Sequence, residues 1–428
     1  MEIFILVLTF LILLALGVPI AWSIGLSSVF TMLVSIPTLP ALTTVAQRMG
    51  TGLDSFSLLA IPLFILAGQI MNRGGIARRL IDFAKTLVGA LPGGLAHVNI
   101  MASMLFGAIA GSAVAAASAI GGFMGKAMEK EGYDKDYAAA VNITSATTGL
   151  VIPPSNVLIV YSAASGGVSI AALFLAGYLP GIITGLMIML VAGVIAKRKG
   201  FPAGKRSSLK EVGNSFLNAF LSLLLLIVVI GGIVAGVFTA TEASAVAVLY
   251  CLILTFAYKE ITLKDLPEVF LGSAATTAIV MLLIATSISM SWIMAYENIP
   301  QDISTFLLSV SDNKVVILII INLFLLFVGI FMDITPAVLI LTPIFLPVVT
   351  ELGMDPTHFG IMMVLNLCVG LCTPPVGSVL FVGVSVAETS IQKVIRPILP
   401  MFIAMLVALL LVTFIPALSL WLPSLFGL

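Results

Sequence analysis

Thr147-Thr-Gly-Leu-Val-Ile-Pro153-Pro154-Ser-Asn156 interrupts an apolar run that otherwise extends from 137 to 165. Proline has no N–H and crowds the carbonyl four residues back, so Pro153 and Pro154 free the carbonyls of Gly149 and Leu150. A second break, Gly370-Leu-Cys-Thr373-Pro374-Pro375-Val-Gly377-Ser378, lies inside the run 358–388 and frees Gly370 and Leu371. An offset of 221 residues superposes the two breaks. It also places Gly149-Leu150 on Gly370-Leu371, Gly132 on Gly353 and Asp134 on Asp355. The order of features around each break repeats as well, so the chain reads as two related halves.

The composition says what solvent surrounds these breaks. Of 428 residues, 61% are apolar and 9% charged, against about 45–50% and about 25% in a soluble protein. A mean hydropathy of +1.24 describes a chain dissolved mostly in lipid, which excludes a soluble enzyme, a secreted disulfide scaffold and a free nucleic-acid binder. Cys251, Cys368 and Cys372 are isolated thiols without a CxxC spacing, and His97 and His358 lack partners for a metal site or catalytic triad. Gly125-Lys126 is followed by Ala127, where a phosphate-binding loop needs Ser or Thr. No organic cofactor and no further metal are expected, and the chain is not expected to be an enzyme. The opening run after Met1-Glu2 lacks a basic leader and reads as a retained span.

Working outward, 3–17 and 19–36 are runs split by Gly17-Val18-Pro19, and 55–72 is a third. Residues 76–90 gather Arg78, Arg79, Asp82 and Lys85 on one side, as an amphipathic surface helix does. A small-residue run at 95–128 precedes the first broken helix, and 169–196 is a clean span. The basic connector 197–214 comes next, then 215–236, 240–257 and 269–296, a polar strip at 297–314, and a run at 315–350 with a polar centre. The second broken helix and 392–425 complete the chain. Treating 95–128 and 315–350 as re-entrant hairpins places seventeen of the nineteen Lys and Arg inside, with Arg48 and Lys314 outside. Both termini then lie on the periplasmic side. The expected fold is an all-α integral membrane protein: residues 1–196 form one repeat, 197–214 a cytoplasmic linker, and 215–428 the inverted second repeat. Its hairpins enter from opposite faces. Inverted repeats with broken helices mark secondary transporters, whose sites lie near the midplane.

The hairpin tips and the breaks supply the candidate ligands. Residues 107–122 are nearly all Gly, Ala or Ser, which serves close helix packing or brings backbone near a ligand. Ser112 there reads as N-cap and ligand together. At Asp333-Ile-Thr335-Pro336 the hydroxyl followed by Pro reads as a cap, and a carboxylate among Phe331, Met332 and Ile334 is costly unless paired. Oxygen-rich breaks suit a hard cation, although a packing kink is the competing reading. The Na⁺ candidates are Ser112, Asn142, Gly149, Asp333, Thr335, Gly370, Thr373 and Gly377; Asn142, Ser145 and Gly149 share a helical face. The substrate candidates are Gly111, Ser112, Thr148, Ser155, Asn156, Thr335 and Ser378. Thr239-Ala-Thr-Glu242 fits a capping box and Asp54 an N-cap. Arg48 suits an acidic substrate, a soluble partner or plain anchoring.

The chain resembles the large membrane subunit of the tripartite ATP-independent periplasmic (TRAP) transporters over essentially its whole length. The resemblance is carried by Gly52-Leu-Asp54-Ser-Phe-Ser-Leu-Leu-Ala-Ile-Pro62-Leu-Phe-Ile-Leu-Ala-Gly68, by Gly236-Val-Phe-Thr239-Ala-Thr241-Glu242-Ala, and by both Pro-Pro breaks. It departs from the family pattern at Ala240 and Ser57, where Pro is expected. The resemblance implies an elevator-type carrier in a bacterial inner membrane, with Na⁺ as coupling ion for uptake of an organic acid. Sialic acid is favoured and a C4-dicarboxylate comes next. It further implies a small four-span membrane (Q) subunit and a periplasmic substrate-binding (P) protein as partners. A stand-alone Na⁺-coupled di- or tricarboxylate carrier of related fold is the alternative, and an ion channel the second.

Overall fold

Lipid offers the backbone no hydrogen-bond partners, so apolar runs close their own bonds as helices. The computed structural model describes residues 2–73, 75–311 and 313–428, and these contain twenty α-helices and no strand. Eight helices, or nine if the first broken pair counts as one, are long and apolar enough to cross a membrane. The protein is thus an all-α, multi-span membrane protein.

Helices α1 (Glu2–Ala15) and α2 (Ile20–Ser35) flank Gly17-Val18-Pro19 as expected. The next helix, α3 (Thr38–Leu53), lies outside the sequence reading; its polar residues Thr43, Gln47, Arg48 and Thr51 hide an amphipathic pattern that no long apolar run announces. Asp54 ends α3 and caps neither the 3₁₀ turn (Phe56–Leu59) nor α4 (Ala60–Arg73) beyond it. Helix α5 (Ile76–Val88) is the amphipathic helix. The small-residue run forms a helical hairpin, α6 (Gly94–Ala110) and α7 (Ala113–Lys130), turning at Gly111-Ser112. The first broken helix is α8 (Lys135–Ala146) and α9 (Asn156–Ala164), bent by 50°. Then comes α10 (Ile170–Lys199).

Beyond the connector lie α11 (Leu209–Val234), α12 (Ala240–Ala257), α13 (Leu266–Tyr296) and the short α14 (Ile299–Val310). Thr239 and Glu242 form the expected capping box, with Thr239 N donating to Glu242 at 2.8 Å. A second hairpin, α15 (Lys314–Phe331) and α16 (Ile334–Glu351), turns at Met332-Asp333. The second broken helix is α17 (Pro356–Gly370) and α18 (Ser378–Val386). The final run divides at Ile415-Pro416 into α19 (Ile391–Phe414) and α20 (Ala417–Leu425).

Packing divides these elements into two sets. Helices α2 and α3 lie against α13, and α4 against α12. The other set joins α6–α10 to α15–α20: α15 on α17, α7 on α18, α8 and α10 on α19. The sets meet where α13 touches α16 and where α4 touches α6 and α9. The connector is fastened beneath: Tyr133 Oη donates to the Pro202 carbonyl at 2.9 Å, Phe201 stacks on Tyr133, and Gly204 N donates to the Gly89 carbonyl at 3.0 Å.

Each broken helix is pressed against a hairpin limb through paired glycines. A methyl group on Gly149 would stand 2.5 Å from the carbonyl carbon of Gly107, and one on Gly370 would stand 2.6 Å from that of Gly329. Helices in lipid associate through such close approach and through buried hydrogen bonds. Asn366 Nδ2 donates to the Asn322 side chain at 2.8 Å, and Ser145 bonds Ser103 at 3.1 Å, in the same two pairs of elements. Asp134 accepts from Tyr137 N to cap α8, and Asp355 accepts from Thr357 N to cap α17. Backbone faces backbone at the glycine pairs, so neither side yields. Gly149→Ala and Gly370→Ala should each lose about 1–3 kcal/mol of stability, the usual cost of overpacking. Gly122→Ala, whose new methyl meets nothing nearer than 3.9 Å, should not lose any. Thermal unfolding in detergent checks all three, and equal midpoints would refute the contact.

Candidate functional site

The turns of both hairpins and the start of α9 open onto one cavity of about 260 Å³. Of the sequence candidates, Gly111, Ser112, Asn156, Asp333 and Thr335 line it. The local sequence explains their placement. Gly111 has φ +62°, a left-handed turn that lets α6 end, and a side chain there would strike the Asn156 amide. Ser112 Oγ then accepts from Ala115 N at 3.2 Å and caps α7 as expected.

The second tip differs from its reading. Helix α16 begins at Ile334, so Asp333 occupies the capping position, without a side-chain capping bond, and Thr335 lies inside the first turn. The hydroxyl of Thr335 makes no hydrogen bond among the described residues and borders the cavity. Nor is Asp333 enclosed among apolar side chains. It is deep in the molecule but exposed to the cavity, and Ser378 faces it from the second broken helix.

The remaining candidates stand back from the cavity. Thr148 donates to the Ser145 carbonyl at 2.6 Å and Ser155 to the Leu150 carbonyl at 2.5 Å, both buried. Thr373, just past the end of α17, donates back to the Val369 carbonyl at 2.8 Å. Gly149 and Gly370 are occupied by the glycine contacts. Several freed carbonyls find protein donors: Leu150 takes Ser155, Gly370 takes Thr373 N at 2.9 Å, and Leu371 takes Leu380 N at 3.3 Å. Gly377 has φ +30°, and its N–H donates to the Ile330 carbonyl at 3.0 Å, which ties the second break to α15. Asn142 is turned elsewhere. Its amide donates to the Ala117 carbonyl at 2.8 Å, and its oxygen, without a partner, lies in a cleft with Gly121 and Gly383. Ser378 Oγ is also buried without a hydrogen bond.

The opposite wall lies outside the sequence candidates. Gly68, Gln69 and Asn72 of α4 and Thr276 of α13 face the tips. Single polar residues near helix ends look like ordinary span boundaries, and the two helices are about 200 residues apart in sequence. The cavity offers hydroxyls and amides with one carboxylate, and no Lys, Arg or His lines it among the described residues. No group of three His, Cys, Asp or Glu gathers among those residues either. The remaining lining residues are glycines and aliphatic side chains, so a few polar groups are set in an apolar wall.

The family model for the DctM component of the tripartite ATP-independent periplasmic transporters matches residues 7–418. YgiK, an uncharacterized protein of Salmonella typhimurium, is 56% identical over 98% of this chain and 96% of its own length. The C4-dicarboxylate TRAP transporter large permease DctM of Rhodobacter capsulatus is 39% identical, covering 96% of both chains. The sialic acid TRAP transporter large permease SiaM of Vibrio cholerae is also 39% identical, again over 96% of both. The solved YdaH transporter of Alcanivorax borkumensis shares the fold, with a TM-score of 0.66 over 88% of each chain at 13% identity. The chain therefore belongs to the DctM component family of the TRAP transporters, and is a multi-pass transport protein of the inner membrane, not an enzyme.

Proposed function

We propose that the chain is the large permease of a Na⁺-coupled elevator carrier that imports an organic acid. The observation that carries this reading is the cavity itself. Two helix-hairpin turns from different halves of the chain meet across it, and the wall opposite them is made of continuous helices. Turns of this kind expose N–H groups and helix starts to an anion and carbonyls to a cation. The set α6–α10 with α15–α20 would be the moving part, and α1–α4 with α11–α13 the frame.

The inverted repeat is supported by pairs at one offset. The caps Asp134 and Asp355, the close-packed Gly149 and Gly370, and the two Pro-Pro breaks are each 221 apart. The short helices α5 and α14 precede equivalent hairpins. Those pairs and the placement of Lys and Arg support a division into repeats 1–196 and 215–428 about a cytoplasmic linker, with both ends periplasmic. Na⁺ as coupling ion is supported by the oxygen-only chemistry of the tips, with Ser112, Asp333 and Thr335 foremost. Gly149, Gly370, Thr373 and Gly377 would shape the shell from behind, and Asn142, turned to another cleft, would act only through the packing of the first hairpin.

Sialic acid heads the substrate class because the polar groups of an otherwise aliphatic lining are hydroxyls and amides beside one carboxylate, with no cation for a second carboxylate among the described residues. A C4-dicarboxylate is next, and the names of relatives include both. The small four-span subunit and the periplasmic binding protein are proposed partners, in keeping with a transporter described as tripartite and periplasmic. Uptake into proteoliposomes containing all three components should need an inward Na⁺ gradient and no ATP. Replacing Na⁺ by K⁺ should reduce uptake to the level of empty vesicles, and equal uptake would overturn the coupling. Thr335→Ala removes no cap, so it should fold and insert like the parent while uptake at low Na⁺ falls at least about tenfold. Ser112→Ala should show that loss together with about 0.5–2 kcal/mol of instability. Uptake against Na⁺ concentration, run beside thermal unfolding, separates the two, and a fully active Thr335→Ala would remove that hydroxyl from the site.

A further inference from the structure

A second crevice, of about 380 Å³, lies farther along the same seam between the two helix sets. Helix α13 contributes Thr276 to the first cavity and Ser287, Ser291 and Trp292 to this one. Fifteen residues separate Thr276 from Ser291, about 22 Å of helix. The facing helices run in parallel: α9 passes from Asn156 to Ala164, and α16 from Thr335 to Pro343. The two cavities are therefore stacked along one track.

We propose that this outer crevice is a staging site for an organic carboxylate, with Arg48 as its cationic group. Arg48 is exposed and pairs with no carboxylate among the described residues. Its guanidinium stands over the Trp292 ring, 5.4 Å from the centroid, which positions the head and leaves its N–H fork free. That planar fork matches a carboxylate in two parallel bonds. Ser287 is the second observation. It is 3% exposed, and its Oγ has no partner. Its neighbour Thr286 shows the normal behaviour of a helical hydroxyl and donates back to Leu282 at 2.9 Å. Ser287 thus keeps an unused polar group in the crevice that Arg48 also lines, and Arg48 has no counter-ion there among the described residues.

The inference rests on the reading of the protein as a carboxylate carrier and adds a division of labour to it. No basic side chain lines the inner cavity among the described residues, so a carboxylate meets its cationic partner at Arg48 and exchanges it for Na⁺ and the hairpin N–H groups. Arg48 then governs capture from outside and not the inner site.

The test uses Ser291→Cys in the full chain, since Cys251, Cys368 and Cys372 are buried. Labelling rates are compared for the anionic sulfonatoethyl and the cationic trimethylammonioethyl methanethiosulfonates in phosphatidylcholine vesicles. Arg48→Gln should lower the anionic-to-cationic rate ratio about tenfold, and Arg48→Lys should preserve it. N-acetylneuraminate or succinate should slow the anionic reagent only while Arg48 is present. In uptake, Arg48→Gln should raise the KM of whichever of the two is transported about tenfold, with kcat held. An unchanged rate ratio, or a changed ratio with neither protection nor a KM shift, would overturn the proposal and leave Arg48 as an anchor over Trp292. The sliding motion is read separately, by mercury cross-linking of Val160→Cys to Ser291→Cys. Failure to cross-link would count against the elevator and not against the crevice.

Discussion

A helix that breaks at membrane depth cannot leave its loose backbone facing lipid. Among the described residues, four interruptions frame the cavity region: Gly111-Ser112, 147–155, Met332-Asp333 and 371–377. The first Pro-Pro break is buried throughout, whereas Pro375 and Val376 of the second are exposed, and the hairpin turns border the cavity. Gly149 lies on Gly107, Gly370 on Gly329, and Gly377 N bonds the Ile330 carbonyl. The glycines are what make the enclosure close enough, because a single methyl on either face would force the backbones apart. Proline sets where the chain opens, and glycine lets another segment cover the opening.

The same enclosure produces the site. Hairpin turns that must be hidden from lipid are turned inward, where both border one cavity. Asp333 opens onto that cavity, and Ser112 serves both as a cap and as a wall of it. Helices α4 and α13 are unbroken and supply side-chain polarity through Gln69, Asn72 and Thr276. Exposed backbone on one side and isolated amides and hydroxyls on the other make a site whose two walls belong to different packing sets.

Much of this is legible in the sequence because the strongest signals are local. Pro-Pro in an apolar run, a small-residue stretch ending in Ser112, and Thr239 with Glu242 each carry their consequence within a few residues. The hairpin limits at 94–130 and 314–351 and the surface helix at 76–88 agree with the sequence reading to within a few residues. The features that the sequence hides depend on neighbours distant along the chain. The frame wall needs α4 beside α13, which periodicity cannot supply. Thr335 reads as a cap because Ser/Thr before Pro often is one, whereas Asp333 takes that position. Thr148, Ser155 and Thr373 look like free oxygens at a break, but each satisfies a carbonyl of its own segment. Helix α3 is obscured because its polar residues shorten every apolar window across it.

The basic connector has a mechanical meaning of its own. Pro202 is held by Tyr133 at the foot of the first hairpin, and Gly204 by Gly89 at the end of the amphipathic helix α5. Two residues of chain reach about 7 Å at full stretch. While both fastenings hold, the hairpin foot and the end of α5 are on a leash of that length. A displacement larger than the leash therefore has two outcomes: α5 travels with the hairpin as cargo, or a single hydrogen bond of the connector lets go first.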